Sequence, residues 1–217
     1  MNAKSYILFD LDGTLTDPMV GITKSVQYAL KSYGIHEPDL KRLTPFIGPP
    51  LKDSFMKYYG FSEEQAKEAI GRYREYFAVT GIFENRVYEG IPELLKNLKA
   101  AGKHLLVATS KPELFAIQIL EHFHLKEYFD FIGGASMDEV RVRKGDVITY
   151  VLDTVTLTDV SAAVMVGDRE HDILGAGENR MDSIGVLFGY GSREELEKAG
   201  ANEIAASVPE LEKLLLV

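Results

Sequence analysis

Tyr6-Ile7-Leu8-Phe9-Asp10-Leu11-Asp12-Gly13-Thr14-Leu15 opens the chain with four apolar strand formers, then two acids one residue apart, then a glycine. A short apolar run closed by Asp and Gly reads as a strand buried on both faces, the kind found inside parallel sheets. Such sheets bind their ligands outside the carboxyl ends of their strands, which is where Asp10 and Asp12 fall. This decapeptide therefore predicts both an architecture and the place of its chemistry.

Three later runs have the same character: His104-Leu105-Leu106-Val107-Ala108, Ala162-Ala163-Val164-Met165-Val166 and Ile184-Gly185-Val186-Leu187-Phe188. Helical stretches lie between them. Pro92 marks a first turn with Gly102 beyond its end, and Pro112 opens a stretch to His122. Ser207-Val208-Pro209-Glu210 offers a capping box for the last helix. Strands alternating with helices predict an α/β fold, a Rossmann-like doubly wound parallel sheet with right-handed crossovers.

Between about Thr16 and Arg86 the pattern changes to helix after helix, without a convincing buried strand. Asp17-Pro18 starts one helix, with Ile22, Val26, Leu30 and Tyr33 on one face, and Asp17 as its cap. Pro49-Pro50 starts a second, and Ser62-Glu63-Glu64-Gln65 is a capping-box start for a third. The expected organisation is a core made of residues 1–15 and 87–217, with residues 16–86 inserted as a helical domain.

Composition narrows the function. The 217 residues are 46% hydrophobic and 26% charged, as in ordinary globular proteins, and can bury a full core. With 33 acidic against 24 basic residues the net charge is −9, so a nucleic-acid polymer would be repelled. The absence of cysteine excludes disulfides, thiolate nucleophiles and cysteine-based zinc sites. The first apolar run is too short for a signal peptide, and no stretch approaches the ~18 apolar residues of a membrane span. The expectation is a cytoplasmic protein with no membrane partner, whose oligomeric state is open.

Residues following the other strands join the first acids. They are Thr109 and Ser110, then Asp168 and Asp172, which project to the same side if a helix starts near Arg169. Four converging carboxylates require a hard cation, and an oxygen-rich set suits Mg2+. Either Asp168 or Asp172 could bind it directly and the other through water. A carboxylate can attack phosphorus, while a second acid protonates the leaving alcohol and later deprotonates water. Asp10 and Asp12 can divide those roles. Gly13 permits a sharp turn and could offer its amide to a phosphate. Thr109 could donate its hydroxyl to the same group, or merely satisfy local backbone, and the Ser110 amide would add a donor near a helix start. Lys144, in Arg141-Val142-Arg143-Lys144-Gly145-Asp146, could reach both nucleophile and phosphoryl group. The five histidines show no metal-binding spacing.

Taken in order, Asp10-Leu11-Asp12-Gly13-Thr14-Leu15, Thr109-Ser110-Lys111, Lys144 and Gly167-Asp168-Arg169-Glu170-His171-Asp172 resemble the four motifs of the haloacid dehalogenase superfamily, across essentially the whole chain. The phosphoglycolate phosphatase branch, with relatives acting on nucleoside monophosphates, is the most similar. The resemblance implies Asp10 as nucleophile, Asp12 as general acid and base, Thr109 as phosphate ligand and Lys144 as charge anchor. It implies magnesium held by Asp10, the Asp12 carbonyl and Asp168, with Asp172 supporting. Residues 16–86 become a cap, with Phe46-Ile47-Gly48-Pro49-Pro50 facing the active site, and Arg42, Lys52, Arg72 and Arg74 as basic groups that could meet a substrate. Relatives often carry Pro after the motif lysine where this chain has Gly145, so Arg143 is the fallback. An acid at position 12 favours phosphomonoester hydrolysis of a small phosphorylated metabolite, or phosphomutase chemistry of the beta-phosphoglucomutase type. A phosphate-ligand binding protein without turnover is the remaining alternative.

Overall fold

The apolar run Tyr6–Phe9 forms β1, and every other part of the sheet is ordered around it. The computed structural model describes residues 3–138 and 140–216. From β1 the chain passes β2 (Thr16–Asp17), then α1 (Met19–Lys31), α2 (Leu51–Tyr59) and α3 (Glu63–Phe77), and returns through β3 (Arg86–Val87). It continues as α4 (Ile91–Ala100), β4 (His104–Pro112), α5 (Glu113–His122), β5 (Phe131–Ala135), α6 (Lys144–Thr154), β6 (Ala163–Gly167) and α7 (Glu170–Glu178). Finally come β7 (Asp182–Val186), α8 (Arg193–Ala199), β8 (Glu203–Ala205) and α9 (Val208–Leu215).

Six strands form one sheet in the order β5-β4-β1-β6-β7-β8, and β2 pairs with β3 separately. Each pairing in the large sheet is parallel. β1 lies between β4 and β6, with Phe9 in register with Val107 on one side and Val166 on the other. The chain reverses its direction of winding across these three strands, so their carboxyl ends define the crevice in which an open α/β sheet binds ligands. Leu8, Leu106 and Met165 pack on one face with Val147, Ile148 and Val151 of α6 and Ala176 of α7. Burying both sheet faces is what makes these strands apolar throughout.

Two compact units result: residues 1–17 with 87–217, and residues 18–86. In the second, Ile22, Val26 and Leu30 are the buried stripe of α1, and Ala66, Ala69, Ile70, Tyr73 and Phe77 that of α3. The α3 capping box is complete, since the Gln65 amide donates to Ser62 Oγ at 3.2 Å and the Ser62 amide donates to Gln65 Oε1 at 2.9 Å. Phe46, Phe55 and Phe61 form an aromatic cluster beneath α2. Arg42, Lys52 and Arg72 sit on exposed faces in ion pairs with Glu37, Glu63 and Glu75.

Three local expectations are corrected. Asp17 does not cap α1: the cap position is Pro18, which makes no side-chain bond, and Asp17 takes the Tyr190 hydroxyl instead. At α9 the Glu210 amide donates to Ser207 Oγ at 3.4 Å, but the Glu210 carboxylate accepts from Ala206 rather than from Ser207. The strand expected over 184–188 ends at Val186, leaving Leu187 and Phe188 to enter a loop. Among the described residues no helix is long and apolar enough to cross a membrane.

Candidate active site

The Asp10 amide donates to Val166 O at 2.9 Å, and beyond that point the chain closes on itself. Leu11 O accepts from Thr14 at 3.3 Å, Leu15 at 2.9 Å and Thr16 at 3.0 Å, while the Gly13 amide donates to Thr16 O at 2.7 Å. That last bond corrects the role expected of Gly13, because an amide committed to Thr16 is not offered to a phosphate. Glycine is required for another reason. Its φ is +87°, and a Cβ there would stand 2.3 Å from Asp168 Oδ2. Gly13→Ala should therefore cost about 1–3 kcal/mol in urea unfolding and push Asp168 out of place, weakening divalent-ion binding measured by calorimetry.

Lys144, the first residue of α6, is buried and lies 2.8 Å from Asp10 Oδ1 and 2.8 Å from Asp172 Oδ1, with its ammonium donating to Ala108 O at 3.0 Å. It reaches this position because α6 and α7 approach closely at two glycines: a Cβ on Gly175 would meet Lys144 Cγ and the Gly145 amide, each at 2.9 Å. Burial opposes the lysine's charge, but Asp10 and Asp172 outweigh it and hold the ammonium above its ordinary value. Arg143, the fallback, is exposed and pairs with Glu178 at 3.3 Å.

Asp168 follows β6 and is fully buried, and its Oδ2 accepts from the Tyr190 amide at 2.7 Å. Its carboxyl is raised well above the usual range by burial, then by Asp172 and Asp10. Asp172 accepts the Arg169 amide on Oδ2 at 3.1 Å, so both its oxygens are engaged. Burial is the main cause lifting it to about 6, with Lys144 opposing and Asp10 adding. Asp12 is 7% exposed; its Oδ2 meets Lys111 Nζ at 2.7 Å, and burial raises its carboxyl despite that lysine.

At the end of β4, Thr109 is buried and its hydroxyl accepts the Lys111 amide at 3.3 Å, so it satisfies local backbone. Ser110 lies within β4 rather than at a helix start, since α5 begins only at Glu113 with Pro112 at its cap position. Two contributors escape a reading of the sequence. Lys111 stands out there only as part of a motif, yet it holds Asp12. Tyr190 acts through its backbone, and the flanking glycines are its one visible signal: a Cβ on Gly189 would lie 2.3 Å from Gly13 O, and one on Gly191 would lie 1.9 Å from Asp168 O.

Oxygens of Asp10, Asp168 and Asp172 lie within 4.8 Å of one another, all buried. Among the described residues Asp168 Oδ1 and Asp12 Oδ1 have no hydrogen-bond partner. Four buried carboxylates, Asp10, Asp12, Asp168 and Asp172, face two buried ammonium groups, Lys111 and Lys144. With all four ionised the excess would be the charge of two carboxylates, and the donors are hard oxygens, so the residues present fit a divalent cation of the magnesium type.

A carboxylate beside one lysine, a second carboxylate beside another, and a buried acidic pair thus come together at the ends of parallel strands. Residues 7–186 match the family of haloacid dehalogenase-like hydrolases. The chain is 50% identical to the 5′-nucleotidase of Pseudomonas aeruginosa, covering 96% of this chain and 94% of that one. It is 38% identical to the tyrosine-protein kinase PtkA of Mycobacterium tuberculosis, covering 96% and 72%. The crystal structure of a predicted phosphatase from Clostridium acetobutylicum superposes with a TM-score of 0.96 at 54% identity, covering 99% of both chains. The chain belongs to the haloacid dehalogenase-like hydrolases. Within them it is an enzyme of the phosphatase class.

Proposed function

We propose that the chain hydrolyses a small phosphomonoester, of the nucleoside 5′-monophosphate or phosphoglycolate kind, through an acyl-phosphate on Asp10. The observation that carries this is the division of labour between two acids one residue apart: Asp10 faces Lys144, and Asp12 faces Lys111. The Pseudomonas relative's name favours a 5′-nucleotide among the candidates.

Magnesium would be held by Asp10, the Asp12 carbonyl and Asp168, with Asp172 in support, and would neutralise charge on the phosphoryl oxygens. An Asp10 oxygen attacks phosphorus as the bond to the leaving oxygen breaks, and Asp12 gives its proton to that oxygen. Asp12 then takes a proton from water as the water attacks phosphorus and the bond from phosphorus to the Asp10 oxygen breaks, regenerating the Asp10 carboxylate and releasing inorganic phosphate. Its raised carboxyl suits a group that must begin protonated. Lys144 steadies Asp10, and the Thr109 hydroxyl and Ser110 amide are the phosphate donors of this scheme. The Leu11 and Asp12 amides bond to no carbonyl among the described residues of the turn and can join them. Residues 18–86 act as the cap, whose closure excludes water and whose surface selects the substrate.

The test is a phosphate-release screen over 5′-nucleotides, phosphoglycolate and hexose phosphates, with Mg2+ or with excess chelator. Turnover should require the metal. Mg2+ alone, at ~100 times its Kd, should stabilise the protein by about 2.7 kcal/mol, raising Tm by about 5–10 °C. Chelator-resistant turnover, or a Tm that ignores Mg2+, would remove the metal from the scheme. Isomerised sugar phosphate without free phosphate would identify a mutase instead.

A further inference from the structure

Lys111 is a buried cation that the hydrolytic scheme pairs with Asp12 but gives no step. It is 8% exposed, and burying an ammonium is costly without a strong partner. Its place is set by an irregularity: β4 and β5 run in register from Leu106–Phe131 to Thr109–Gly134, and the register then shifts before Pro112 pairs with Ala135. The extra residues in β4 re-aim side chains there, as strand bulges do beside binding sites. The Lys111 amide is tied to Thr109 Oγ1, and Lys111 Nζ comes 2.7 Å from Asp12 Oδ2. The two buried lysines thus share out the acids, Lys144 to Asp10 and Asp172, Lys111 to Asp12.

We propose that Lys111 is a positioning residue that fixes which oxygen of Asp12 exchanges the proton with substrate. This rests on the phosphatase reading, with Asp12 as acid and base. An oxygen that accepts an ammonium hydrogen at 2.7 Å cannot also carry a proton in that direction. The proton therefore sits on Asp12 Oδ1, the buried oxygen that no described protein group satisfies. During acyl-phosphate formation it moves from Oδ1 to the leaving oxygen as the phosphorus–oxygen bond to that oxygen breaks. During acyl-phosphate hydrolysis Oδ1 takes a proton back from the attacking water. Without Lys111 the carboxyl can rotate or protonate on either oxygen, and only part of the population is correctly disposed.

Leaving groups separate this role from phosphate binding and from general damage. p-Nitrophenyl phosphate releases a weakly basic phenolate that needs little protonation, whereas an alkyl phosphate, such as whichever 5′-nucleotide the wild type cleaves best, needs a full proton. The quantity to measure is kcat/KM, because it covers the steps through departure of the leaving group and not the later acyl-phosphate hydrolysis. Lys111→Met, which keeps the length and loses the charge, should lower kcat/KM for the alkyl phosphate about 100-fold and for p-nitrophenyl phosphate by less than about 5-fold. Should the methionine variant fail to fold by circular dichroism, Lys111→Arg carries the same comparison, because it keeps the charge while displacing the donor. The selective deficit expected for it is about 10-fold. Equal losses on both substrates, or no loss on either, overturn the proposal. Wild-type protein that cleaves neither substrate sinks the phosphatase reading and this inference with it. Wild-type protein that cleaves both, with a variant showing no leaving-group selectivity, sinks this inference alone.

Discussion

Asp10→Asn should lower turnover of every phosphate ester by at least ~10⁴-fold while leaving the metal-free protein folded and about as stable as before. The two halves of this expectation have different origins. Activity falls because a side-chain amide cannot form the acyl-phosphate, and a residue acting as a unit with its partners takes most of the rate with it. Stability holds because Asp10 is a poor neighbour in the absence of a cation: burial raises the carboxyls of Asp12, Asp168 and Asp172, and the charge of Asp10 adds to it. The substitution removes that repulsion and removes one of the two carboxylates facing Lys144, effects of opposite sign. Unfolding in urea should register a net change within about 1 kcal/mol, since the two effects offset. Mass spectrometry of acid-quenched protein should find phosphate on the wild-type chain and none on the variant. If the Asp10→Asn variant still turns over, the aspartyl-phosphate scheme ends. A wild-type chain that binds phosphate esters tightly but never carries phosphate would favour the non-catalytic alternative.

What the sequence disclosed follows from what each residue's surroundings demand of its type. β1, β4 and β6 were legible because a strand covered on both faces must be apolar at every position, and Leu8, Leu106 and Met165 meet that condition. β5 was not, because its centre is Gly133-Gly134, a pair that ordinarily marks a loop. The glycines are there for clearance, since a Cβ on Gly133 would lie 2.4 Å from Val151 of α6 and one on Gly134 would lie 2.6 Å from Glu113 of α5. β8, three residues at the sheet edge, is too short to carry a pattern. Asp10, Asp12, Asp168 and Lys144 stood out as chemical groups next to strand ends or at a helix start. Lys111 did not, because a lysine is by default a solvated side chain, and only the irregular end of β4 turns it inward. Tyr190 contributes a backbone amide, which no side-chain pattern encodes. For Gly13 the sharp turn was legible and its φ of +87° bears that out, but the Asp168 carboxylate that also forbids a Cβ was not.

Lys144→Met should be strongly destabilising, costing about 3–5 kcal/mol in urea unfolding without metal. Methionine fills similar space, so the loss is electrostatic rather than a cavity. Nζ lies 2.8 Å from both Asp10 and Asp172 and donates to Ala108 O at 3.0 Å. Its removal leaves two buried carboxylates and a carbonyl uncompensated, with Asp168 already raised by both of its acidic neighbours. The site's fixed positive charge falls from two lysines to one against four carboxylates. Two further measurements identify charge as the cause. Saturating Mg2+ should recover part of the deficit, because a divalent ion supplies the missing compensation to Asp10 and Asp168. Adding Asp172→Asn to the methionine variant should recover another part, giving a coupling of about 1–3 kcal/mol between positions 144 and 172. Activity should remain low in both rescued proteins, since neither restores the ammonium beside Asp10. If Lys144→Met instead leaves stability unchanged with and without Mg2+, the acids are neutralised by protons in the folded chain. The charge argument that calls for a cation at Asp10, Asp168 and Asp172 would then fail.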